Sequence, residues 1–134
     1  MLRAAVVAIS AIGSSSVFGQ PMPRRVDVPV MVGAHADADA CPSTGKVVGL
    51  NPRGDGFLSI QSGPGGKPYR QIDRVYNGMH LWICDQVGRW YAVVYSPDNR
   101  LNCNVSSPWS VRQAYTGPCR YGWVHSRYVG KLAG

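Results

Sequence analysis

Cysteines, histidines and aspartates are the residues of this chain that could do nucleophilic, acid–base or metal chemistry. A Cys–His nucleophile needs a free, activated thiol. Cys41, Cys84, Cys103 and Cys119 form an even set with no C-x₂-C spacing, which favours disulfides over zinc. His35, His80 and His125 fall in a Pro-containing tract, at a strand start and in a closing strand, and none lies beside a cysteine in sequence. His35, Asp37 and Asp39 alternate as metal ligands sometimes do, but nothing positions them, and an exposed polar tract accounts for them. The chain has no Glu, so a catalytic carboxylate pair would have to be two Asp. Asp55, Asp73, Asp85 and Asp98 sit where turns favour Asp. Ser107 and Ser110 lie beside Pro and Trp without a G-x-S-x-G elbow. The chain is therefore expected not to be an enzyme and to need no cofactor and no metal.

What remains is binding chemistry, carried by aromatics and arginines. Four Trp and seven Tyr accompany 14 Lys+Arg against seven acids, a net charge of +7. Eleven of the 14 bases are Arg. Such a balance favours anionic surfaces, among them nucleic acid, lipid headgroups and bacterial wall polymers, and salt screens the attraction. A length of 134 residues suits one domain, and 45% hydrophobic residues suffice for a small core. No apolar run reaches the ~18 residues of a membrane span.

Residues 1–19 have the order of a secretory signal: Arg3, then the apolar stretch Ala4 to Ile12, then small residues ending at Gly19. Cleavage is expected after Gly19, leaving Gln20 as the first residue of an exported protein, periplasmic or secreted. Export explains the cysteines as disulfides and sets nucleic acid aside as a partner.

Residues 20–45 hold four Pro and no long apolar periodicity and read as an extended arm or linker. From Lys46 the texture changes to short strand signals. These are Val47–Leu50, Phe57–Ser62, Leu81–Cys84, Trp90–Tyr95 and Gly122–His125, followed by a turn over Ser126–Val129. The segment from Tyr69 to Gly78 reads as a loop. Gly or Pro interrupts every window of helix length, so an all-β fold is predicted.

These pieces, in this order, resemble the bacterial SH3-like domain (SH3b). The carrying motifs are LSIQSGPG at Leu58–Gly65, GRWYAV at Gly88–Val93 and GWVHSRYV at Gly122–Val129, with Tyr69, Ile72, Val75 and Gly78 between the first two. Gln61 stands where the family usually has Arg. The resemblance implies a small barrel of about five short strands over 46–134, with 96–120 as an insertion. Cys103 and Cys119 lie inside the insertion and are expected to staple it, which leaves Cys41 for Cys84, one of three connectivities that four Cys allow. In Trp90–Tyr95, Tyr91, Val93 and Tyr95 share one face and Trp90, Ala92 and Val94 the other. Both faces are apolar, so something must cover the second, and the insertion is the nearest candidate.

The resemblance also implies a function: a non-catalytic module that recognises cell-wall peptide or glycan, or another exported protein, through a shallow aromatic groove. Tyr69, Trp90 and Tyr128 are expected to line it, with Trp82 and Trp123 as second choices. Arg70, Arg89 and Arg127, each adjacent in sequence to one of the three rings, are expected to bond a ligand carboxylate. The alternative is a minimal cell-wall hydrolase or its accessory subunit. Oligomeric state is not legible.

Overall fold

A computed structural model describes residues 4–5, 13 and 27–134. The signal segment expected over 1–19 lies outside the described residues apart from those three positions, as does 20–26 of the arm. Among the described residues the chain is all-β, with nine strands, one 3₁₀ turn over Ser126–Tyr128 and no α-helix. The strands are β1 (Met31–Val32), β2 (Ser43–Val47), β3 (Leu58–Gln61), β4 (Gln71–Val75), β5 (His80–Val87), β6 (Trp90–Tyr95), β7 (Gln113–Ala114), β8 (Arg120–His125) and β9 (Val129–Ala133). Seven form one antiparallel sheet in the order β4-β3-β8-β6-β5-β2-β9, and β1 pairs with β7 in a second. The larger sheet is open, with β4 and β9 as its edges. The expected barrel of about five strands is thus not what forms: four further strands add to the count and the sheet does not close.

The alternation along β6 organises the packing. Val93 and Tyr95, with half-buried Tyr91, belong to a core that includes Val47, Ile60, Val75, Leu81, Ile83 and Val124. Ala92 and Val94, with half-buried Trp90, belong to a second core on the opposite face, with Val30, Val32, Val105, Tyr115 and Trp123. Something does cover the second face, and it is two segments rather than one. The insertion contributes Cys103, Val105, Tyr115 and Cys119. Residues of the expected arm contribute Val30, Val32, Ala40 and Cys41.

Residues 27–45 are therefore part of the domain and not a linker. Apolar residues at 28, 30 and 32 give this stretch a buried face once an apolar sheet lies beneath it. The Val28 amide donates to the Ser62 carbonyl (2.9 Å), and Trp123 Nε1 donates to the Val28 carbonyl (3.0 Å). Arm and insertion are laced together: the amides of Ala34, Ala40 and Cys41 donate to the carbonyls of Trp109, Ser107 and Val105, and that of Tyr115 to Val30.

Two disulfides staple this cap. Cys41–Cys84 ties the arm to β5, and Cys103–Cys119 closes the insertion. Within that loop the buried Tyr115 hydroxyl donates to the Cys103 carbonyl (2.9 Å) and accepts from the Cys119 amide (3.1 Å). Arg112 Nη2 reaches Asp85 Oδ2 at 2.8 Å, pinning the insertion to β5 from outside. β8 carries Gly122 because a Cβ there would collide with Ile60.

Three expectations about elements are corrected. The stretch read as a loop after Tyr69 contains β4, a polar edge strand whose register against β3 shifts at Ile60/Gln61. The leading strand runs over Ser43–Val47 rather than from Val47 to Leu50, since Lys46 pairs with both His80 and Gly130. The segment after the 3₁₀ turn continues into β9 along β2.

Candidate functional site

An aromatic depression lies where the 49–59 segment passes the ends of β6 and β8. It is a cleft of about 410 Å³ whose lining includes Trp90, His125, Tyr128, Phe57, Asp55 and Gln61. Trp90 and His125 are direct cross-strand partners between β6 and β8. Their rings meet edge to face, 5.4 Å between centroids and 74° between planes. His125 also caps the 3₁₀ turn, its Nδ1 accepting the Arg127 amide at 3.1 Å. With Nδ1 occupied as an acceptor, the proton of the neutral ring belongs on Nε2. The Ser126 amide donates to the Arg89 carbonyl (2.8 Å), so the β5–β6 turn holds the same end in place.

Tyr128 ends the turn. Its carbonyl accepts the Val48 amide (3.0 Å), and its ring packs partly on the first core. The turn Asn51–Gly56 contributes Asn51, Asp55 and Gly56 to the lining. Asn51 Oδ1 accepts the Arg53 amide (2.9 Å) and its carbonyl accepts the Gly54 amide (3.0 Å), the local bonding that makes Asn a turn former. The turn is anchored at its root by Asn77: Leu50 N donates to Asn77 Oδ1 (3.1 Å) and Asn77 Nδ2 to the Leu50 carbonyl (3.0 Å).

Of the three rings expected to share a groove, Trp90 and Tyr128 do line one cleft. Tyr69 does not: its ring lies against Gly63, in the space a Cβ would fill there. Trp82 stands elsewhere, edge to face with His80 at 5.0 Å, in a small depression bordered by Ser96 and Leu101. Trp123 is 2% exposed and hydrogen-bonded to the arm, so it is a core residue and not a contact residue. Arg70 lies in a different cleft, paired with Asp27 at 3.3 Å. Arg127 sits at the rim, its guanidinium carbon 5.7 Å from the centre of the Tyr128 ring. Arg89 is exposed and precedes Trp90 on the turn.

His125, Phe57 and the Asn51–Gly56 turn were not among the residues expected at the site. His125 had a signal in the alternation of β8, but the turn had none, because only the tertiary fold brings it into the same cleft as Trp90.

Elsewhere, Asp73 is held below the usual carboxylate range. Burial alone would raise it, but the Tyr95 hydroxyl, the Arg74 amide and the Arg120 guanidinium outweigh that. Tyr95 is pushed up by burial and by the Asp73 carboxylate. Burial lowers His80. All four cysteines are oxidised, and among the described residues no three His, Cys, Asp or Glu side chains cluster as metal ligands would. Among the described residues no helix is long and apolar enough to cross a membrane. No known protein family, curated protein or solved structure matches the chain.

Proposed function

We propose that this chain is an exported, non-catalytic binding module of the SH3b type, recognising cell-wall peptide or glycan through the Trp90–Tyr128 cleft. The observation that carries the reading is the cleft itself: Trp90, Tyr128 and Phe57 line a solvent-open surface beside neutral hydrogen-bonding side chains, Asn51, Ser59 and Gln61. Aromatic rings supply contact area at small entropy cost and suit both peptide and sugar faces. The SH3-like reading is supported by the segments that carry the resemblance. Leu58–Gln61, Trp90–Tyr95 and Arg120–His125 are immediate neighbours, β3-β8-β6, in one sheet. Export is supported by the pattern of residues 1–19 and by two disulfides, which fit an oxidising compartment.

The test is incubation with purified peptidoglycan, following retained protein through washes of rising salt and released amino termini or sugar ends over time. The expected result is retention that survives salt, with no release. Loss of all binding in moderate salt would reduce the interaction to charge adhesion. Sustained release proportional to protein concentration would instead establish the hydrolase alternative.

A further inference from the structure

We propose that the Trp90–Tyr128 cleft selects a cationic nitrogen, the primary ammonium group of a peptide ligand, rather than the carboxylate that the neighbouring arginines suggest. The inference rests on reading this cleft as the binding site and names what the site takes.

The chain is basic, 14 Lys+Arg against seven acids, yet no Lys or Arg lines the cleft. Its one carboxylate is Asp55, exposed on the turn that lines the cleft together with Trp90. Among the described residues Asp55 makes no salt bridge and no side-chain hydrogen bond, whereas Asp27, Asp73 and Asp85 are each paired with an arginine.

Three nearby arginines, Arg70, Arg74 and Arg127, are committed, while Arg53 and Arg89 are exposed beside the cleft without lining it. Arg70 belongs to Asp27, in another cleft. Arg127 lies over Tyr128 and Arg74 over Phe57, the latter 4.2 Å from the ring centre. Those contacts show two of the three rings acting as cation platforms within the molecule. Trp90, the strongest such platform among side chains, carries no cation among the described residues.

An ammonium group in this cleft would meet the Trp90 ring quadrupole and the Asp55 carboxylate, with the Gln61 amide oxygen as a further acceptor. An anionic group at the same place would face Asp55, and no Lys or Arg lines the cleft to answer it, Arg127 and Arg74 being engaged on the Tyr128 and Phe57 rings. A cleft of about 410 Å³ takes a lysine-length side chain with adjoining peptide units.

Titration of the full mature protein, followed by NMR at the Trp90 indole, tests this with Nα-acetyl-lysine N-methylamide and its Nε-acetylated counterpart. The expected result is saturable shifts with the free amine, weakened about fivefold or more by Nε-acetylation and by Asp55→Asn. Asp55→Asn lies on an exposed turn and keeps the fold, which thermal denaturation checks. Equal affinity for the two probes, an unchanged Kd for Asp55→Asn, or no binding of the free amine overturns the proposal.

A parallel arm uses peptidoglycan before and after chemical acetylation of its amines. Trp90-dependent retention that acetylation leaves intact removes the amine preference while wall binding stands. Amine-probe binding without peptidoglycan retention leaves the amine site standing and removes the wall as its target.

Discussion

Trp90 sits between the two roles a surface Trp can have, and Trp90→Ala separates them. The side chain is half-buried against the second core and meets His125 edge to face at 5.4 Å. Truncating a fully buried Trp costs ~3–5 kcal/mol. Half of that is ~2 kcal/mol, and the aromatic contact adds ~1 kcal/mol. A loss near 3 kcal/mol in a domain of this size lowers Tm by roughly 12–24 °C. If the ring is also the centre of the binding surface, its removal weakens binding by a further ~2 kcal/mol, about thirtyfold, in the fraction that stays folded. Thermal unfolding by circular dichroism gives the first quantity. Retention on peptidoglycan, well below the lowered Tm, gives the second. Trp82→Phe is the control, since Trp82 borders a different depression, and its binding should equal that of the wild type. A large fall in Tm with unchanged affinity would make Trp90 a packing residue only and refute the cleft as the site. An unchanged Tm would refute the packing described here.

Removing Cys103–Cys119, which closes a loop with a sequence separation of 16, should cost about 3 kcal/mol, and removing Cys41–Cys84, with a separation of 43, about 4 kcal/mol. Denaturant midpoints of the paired Cys→Ala variants measure both. Tyr115→Phe keeps the ring but strips the Cys103 carbonyl and Cys119 amide of their partner, and should cost ~1–3 kcal/mol by the same assay. Asp73, held low, stabilises the fold above about pH 4, and that contribution is lost as pH falls through its folded pKa. Tyr95, held high, stabilises it fully below about pH 10 and progressively less as pH rises beyond. Asp73→Asn should flatten the acid limb of the stability profile, and an unchanged limb would show that other carboxylates set it.

The elements legible in the sequence are those whose pattern is set by the sheet they enter. Trp90–Tyr95 is apolar on both faces, which calls for a cover on the second face, and β3 and β8 lie within two residues of their expected places. The strand β4 was hidden because Gln71–Val75 is an edge with one buried residue, Val75, and so carries no alternation. Strands β1 and β7 are two residues each and exist only because arm and insertion meet over the sheet. That meeting also explains why 27–45 reads as a linker: Val28, Val30 and Val32 alternate over only five residues, and a turn separates them from Ala40 and Cys41. The site was half legible. Trp90 and Tyr128 belong to motifs, but their neighbours Phe57 and Asp55 come from a turn, and sequence adjacency misassigned Arg70, which answers to Asp27.

Ligand is proposed to enter the cleft lined by Trp90 and the Asn51–Gly56 turn. Backbone amide NMR of the mature protein during titration with soluble muropeptides tests it directly. Saturable shifts are expected at Asn51, Phe57, Trp90, His125 and Tyr128, with Trp82 and Tyr69 unmoved. Saturable shifts clustered instead around Arg70, Tyr115 and Tyr121, or around Trp82, or no shifts at all, would contradict it.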